Sequence, residues 1–182
     1  AAADALVAKL GDRSSRVVRE AALALARLGA GPAHATHELL AALRQHDDRD
    51  VVLRHALASA LAALASDEAL RTASDDPSPA VRLGVLLAWT RRGSPEVARF
   101  LRDDELALRR DAARAIHDTP IDGALPELAK LTYDDEPDDA AIDWRAIQAN
   151  RLLGAVENGE SLVHLAALPN HPAALRTEAL SV

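Results

Sequence analysis

His34, His37 and His46 fall within one short stretch, and Glu38 follows His37 directly, a grouping of the kind that can hold a transition metal. Such a centre needs three or four ligands converging on one point with a supporting shell. Thr36 ahead of Glu38-Leu39-Leu40 reads as a helix start, which puts His34 before the helix and His46 after it, about a helix length apart. The competing reading is of histidines that cap the helix or face water. The segment Tyr133-Asp134-Asp135-Glu136-Pro137-Asp138-Asp139 gathers carboxylates that suit a hard cation such as calcium, but it lacks the alternating ligands and turn glycine of an EF-hand. A solvated turn and contact with a basic partner fit it as well. Serines and histidines are scattered, and no triad, phosphate-cradling glycine loop, nucleophile elbow or haem-attachment motif occurs. The sequence therefore assigns no catalytic residue, no cofactor and no metal ligand.

The elements that would have to position any site come from a repeat. Asp47-Asp48 precede Arg54, Asp75-Asp76 precede Arg82, Asp103-Asp104 precede Arg110 and Asp138-Asp139 precede Arg145, with Asp12 before Arg19 keeping the outer half of the pattern. Asn170 before Arg176 keeps a polar residue at the inner place. The arginines recur at intervals of 35, 28, 28, 35 and 31 residues, the spacing of a solenoid. In each copy a short apolar segment, an acidic turn and a longer apolar segment follow one another. Their spacing is helical and no alternating stretch argues a strand. Ser94-Pro95-Glu96 has the composition of a helix start, Gly29, Gly93 and Gly154 sit where left-handed caps are needed, and Pro126 reads as a first-turn proline or a kink. The expected fold is all-α, a right-handed α-solenoid of about six hairpins over residues 1–182. Approximate copies are 4–29, 34–65, 68–93, 94–120, 121–154 and a shortened 158–182. Trp89 and Trp144 both read as core.

These features resemble the HEAT repeat, in the shorter form also seen in phycobilisome-lyase-type repeats. The likeness rests on the acidic turn, the Val-Arg or Leu-Arg step and the alanines after it. The resemblance implies a structural ladder between neighbouring repeats, made by Asp12, Asp47, Asp75, Asp103 and Asp138 with Arg19, Arg54, Arg82, Arg110 and Arg145. HEAT-like deoxyhypusine hydroxylases carry several His-Glu pairs for two irons, whereas this chain has the single pair His37-Glu38. The stretches Arg110 to Ile121, Ala124 to Leu128 and Trp144 to Gly154 also resemble the HEAT segment of large exported bacterial dehydrogenase-like proteins that join a propeller to a c-type haem domain. That likeness implies a spacer or docking role in a periplasmic or exported protein, and no Cys-x-x-Cys-His motif accompanies it here.

Composition narrows the partner class. Of 182 residues 49% are hydrophobic, enough for a continuous core, yet there are only two Trp, one Tyr and one Phe to stack on bases or wall a cofactor. The net charge of -7 lies wholly in the second half: residues 1–91 carry 11 basic and 11 acidic side chains, residues 92–182 carry 10 and 17. Dispersed arginines with only Lys9 and Lys130 beside them argue against nucleic acid. No run is long and apolar enough for a membrane span. The absence of Met and the shortened sixth copy lead us to expect a piece of a longer polypeptide. The leading expectation is a non-enzymatic protein-interaction, spacer or scaffold module, whose partner is another protein or a neighbouring domain. An enzyme holding a metal or small substrate between helices and a nucleic-acid binder are the alternatives. The exposed row expected on the second helices comprises Glu20, Arg27, His55, Ser59, Thr90, Asp111, Asp118 and Asn150.

Overall fold

The structure, a computed structural model, describes residues 2–134 and 139–181. Each acidic turn starts the helix that follows it. Asp12, Asp50, Asp76, Asp103 and Asp139 accept, through a carboxylate oxygen, the backbone N–H two residues ahead, at 2.8–3.1 Å. These side chains satisfy donors that a helix start leaves open. The apolar 3.6-residue period then carries the helix on, and Gly29, Gly93 and Gly154 adopt φ of 60°, 61° and 66°, where a side chain would be strained.

The chain forms two compact units, residues 1–92 and 93–182. In the first, α1 (Ala2–Ala8) pairs with α2 (Ser15–Leu28), α3 (Ala35–His46) with α4 (Val51–Leu64), and α5 (Asp67–Ala73) with α6 (Pro79–Arg92). In the second, a 3-10 segment (Pro95–Arg102) pairs with α7 (Leu106–Asp118), α8 (Leu125–Ala129) with α9 (Ala140–Leu153), and α10 (Val156–Ala167) with α11 (Ala173–Leu180). The later helix of each pair stacks on its counterpart, α2 on α4 on α6 in one unit and α7 on α9 on α11 in the other. Such nearest-neighbour stacking is an α-solenoid arrangement, and there is no strand among the described residues.

Two details differ from the expected helices, and a third settles the choice left open at Pro126. Thr36 lies inside α3, which begins at Ala35 with His34 at its N-cap position and no side-chain capping bond. Ser94 does accept the Glu96 N–H, but the segment after it is 3-10 helix. Pro126 sits in the first turn of α8, the place where its missing N–H costs no helical bond.

The core of the first unit is built from leucines with Trp89, Val81 and Val85; Phe100, Ile116, Leu128, Ile142 and Ile147 fill the second. Gly84 in mid-α6 allows α6 to approach α3, because a Cβ there would run into the buried Leu43 Cδ1. Gly84→Val should therefore destabilise the first unit by about 1–3 kcal/mol through overpacking, although valine is the better helix former. Urea denaturation followed by circular dichroism checks this, and an unchanged midpoint would show that Leu43 can yield.

Candidate interaction surface

The arginine series does not form one uniform ladder. Arg54 Nη1 binds Asp48 Oδ1 at 2.5 Å within its own turn, and Arg82 Nη1 donates to the carbonyl oxygen of Asp76 at 2.9 Å. Arg109, not Arg110, repeats the Arg82 geometry by donating to the carbonyl of Asp103 at 2.8 Å. Arg110 reaches Asp139 in the next hairpin at 2.7 Å, and Arg145 reaches back to both carboxylate oxygens of Asp118 at 3.0 and 3.2 Å. Arg19 binds its neighbour Glu20.

On the acidic side, inner aspartates take roles expected of outer ones. Asp76 caps α6 and also binds Arg44 at 2.6 Å, while Asp47 is the left-handed C-cap of α3, with φ of 47°. Asp75 is exposed, and Asp138 lies outside the described residues. The acidic segment 133–139, read as a solvated turn, a cation site or a contact for a basic partner, falls partly outside them too. Its described flanks are engaged: Asp134 takes a two-point bond from Arg102, and Asp139 caps α9.

Because Arg82 is partly sheltered and reaches backbone acceptors while Arg110 is exposed, Arg82→Ala should cost about 1–2 kcal/mol and Arg110→Ala less than about 1 kcal/mol. Thermal melts of the two variants rank them. The reverse order would place the structural weight on the links between hairpins. Arg145 first, then His117, holds the Asp118 carboxyl below its usual range, and Arg110 does the same for Asp139. Both carboxylates are thus stabilised as anions in the fold, so their contribution is present at neutral pH and fades as pH falls below roughly 4. Asp139→Asn should flatten that acid limb of a pH–stability profile.

Of the expected surface row, Glu20, Arg27, His55 and Asp118 are exposed, and Ser59, Thr90 and Asp111 are half-buried. Ser59 and Thr90 donate their hydroxyls to the carbonyls of His55 and Leu86 in their own helices, and Asp111 takes a bond from Arg114. Asn150 is not on the row. It is 2% exposed, and its amide donates to the carbonyls of Ala129 and Ala146 and to Thr132 Oγ1, while its oxygen accepts from Asn158. Trp144, expected in the core, is instead 41% exposed with His117 edge-on to it at 5.4 Å. Both corrections have one cause. Arg145 lies five residues after the start of α9 whereas Arg82 lies three after the start of α6, so counting from the arginine puts the wrong side of α9 outward.

In the first unit the second-helix face has a definite charge. α2, α4 and α6 together carry seven arginines and a single carboxylate, Glu20. Arg19, Arg54 and Arg92 have carboxylate partners, and Arg82 is spent on turn carbonyls. Arg16, Arg27 and Arg91 are exposed and have no ion-pair partner among the described residues. Arg91 Nη2 lies 3.1 Å from His55 Nδ1; an arginine only donates, so His55 accepts there and is neutral with its proton on Nε2. Burial, then Arg91 and Arg54, push the His55 pKa down in the same sense. Beside this face, α1 and α2 enclose an open groove of about 480 Å³, lined by Leu6, Val17, Ala21 and Ala24 and edged by Lys9 and Arg16.

The described residues hold no cluster of three or more His, Cys, Asp or Glu placed to bind a metal, and His34 and His46 stand at opposite ends of α3. Among the described residues no helix is long and apolar enough to cross a membrane.

No family model matches the chain, and no curated protein matches it significantly. Solved structures similar to it include two engineered proteins from a structural genomics consortium and a designed armadillo repeat protein. The first engineered protein is 18% identical, with 98% of this chain and 94% of that chain covered and a TM-score of 0.45. The second is 21% identical over 97% and 94%, with a TM-score of 0.38. The armadillo design is 17% identical over 98% and 100%, with a TM-score of 0.42. At such identities and scores these likenesses carry no functional argument, and the helical-repeat assignment stands on the chain's own stacked hairpins. The expected likeness to the HEAT segment of exported redox proteins finds no support among them.

Proposed function

We propose that the chain is a non-enzymatic protein-interaction module whose working surface is the outward face of its second helices. The observation that carries this reading is the exposed, partly unneutralised side chains on that face: Arg16, Arg27 and Arg91 with His55 in the first unit, and Trp144 beside His117 in the second. Arg and Trp are the residue types that anchor protein interfaces. Within each unit a stack of helices presents them on a rigid support, whereas nothing among the described residues brings a nucleophile, a base and an oxyanion donor together.

Selection of binders to the intact chain from an unbiased displayed-peptide library tests this. The selected peptides should lose binding on Arg91→Ala or Trp144→Ala and keep it on Glu38→Ala or Glu68→Ala, which alter the first helices. Binders indifferent to the first pair and sensitive to the second would overturn the reading.

A further inference from the structure

We infer that the α2–α4–α6 face of the first unit docks an acidic polypeptide segment that also carries apolar side chains. This inference rests on the interaction reading above and adds the chemistry of the partner.

Charge complementarity is the first ground. The whole chain is acidic, at -7, yet its carboxylates in residues 1–92 lie almost entirely on first helices and turns, which leaves the second-helix layer cationic. Arg16 and Arg27 keep free donor forks, while Arg91, exposed and without a carboxylate among the described residues, gives one N–H to the Leu87 carbonyl and one to His55 Nδ1, which leaves the Nε2–H of His55 pointing away from that contact. Each of these groups can receive a carboxylate, two-pronged in the case of arginine. Glu20, the one carboxylate present, is held below its usual pKa by Arg19 and also by Arg16 and Arg27, as expected of an anion in a positive field.

The apolar ground is separate. Val52 is 58% exposed on α4 and Val17 36% exposed on α2, and Leu83 and Leu87 are half-buried on the same side of α6 as Arg91. The α1–α2 groove shares Arg16, Glu20 and Ala24 with this face and offers an apolar floor of a size that takes a side chain. A peptide alternating carboxylates with apolar residues matches both features. A nucleic acid matches only the charge. It would find no lysine on α2, α4 or α6 and no aromatic platform exposed there, and it would be repelled by the acidic remainder of the chain.

The test is fluorescence anisotropy with the intact chain and three labelled probes: a peptide of repeated Glu-Ala-Leu, its Lys-Ala-Leu counterpart, and single-stranded DNA of the same charge as the first. The Glu peptide should bind, weaken as salt is raised, and lose about tenfold in affinity for each of Arg27→Glu and Arg91→Glu. Arg102→Glu in the second unit should leave its affinity unchanged, and the Lys peptide should not bind. Circular dichroism melts confirm that the variants remain folded. Equal or tighter binding of DNA, or Glu-peptide binding indifferent to both reversals, would overturn the inference, as would no binding at all. The library selection separates this failure from that of the wider reading. Binders that map to the second-helix face without acidic character would sink the acidic partner and leave the interaction module standing.

Discussion

Trp89→Ala will destabilise the first unit by about 3–5 kcal/mol, the cost of emptying a large aromatic site in a packed core. Trp89 is fully buried in α6, in the middle of the layer that stacks on α4. The α4 and α6 helices bury mainly alanine, leucine and valine beside it, and a packed helical interior collapses only partly into a space left behind. Urea titration followed by far-ultraviolet circular dichroism should show the first unit melting early. Trp144→Ala provides the internal comparison: that ring is 41% exposed, so the same truncation should cost far less. Equal losses at the two tryptophans would contradict the assignment of one to the core and the other to the surface.

Asn150→Ala is the second large effect, about 1–3 kcal/mol, and it acts through polar groups. The Asn150 amide joins α9 to the carbonyl of Ala129 and to Thr132, and its oxygen holds Asn158 at the start of α10. Removing it strands acceptors and a donor that water cannot easily reach, in a region where Thr132 and Ser161 also bond to each other. Loss should appear as a lower denaturation midpoint of the second unit. A shift of only a few tenths of a kcal/mol would mean that water replaces the side chain, and the network would then be incidental to stability.

The repeat was legible because its signals are local. A turn aspartate binds the N–H two residues ahead, a glycine closes a helix in the left-handed region, and the 3.6-residue period needs no knowledge of the partner helix. The site was less legible because outward facing depends on where a helix begins. Counting from the arginine worked for α4 and α6, where His55 and Thr90 lie on the outer side, and failed in α9, where it chose buried Asn150 and missed Trp144. Counting from the capping aspartate would have picked out Arg109 in α7, since Asp76 precedes Arg82 by the same six residues as Asp103 precedes Arg109, but it leaves α9 as it was, because Asp139 also stands six before Arg145. The cationic layer of the first unit escaped notice for a different reason. A balance of charge over 1–91 conceals its division between first and second helices, which appears only when the hairpins are stacked.

The most direct test of the central claim, that the second-helix face is the working surface, is amide hydrogen exchange of the intact chain with and without the tightest library-selected peptide. The account predicts that added protection and slowed exchange concentrate on second helices: α2, α4 and α6 in the first unit, or α7 and α9 in the second. Protection concentrated on α1, α3, α5 and α10 would contradict it.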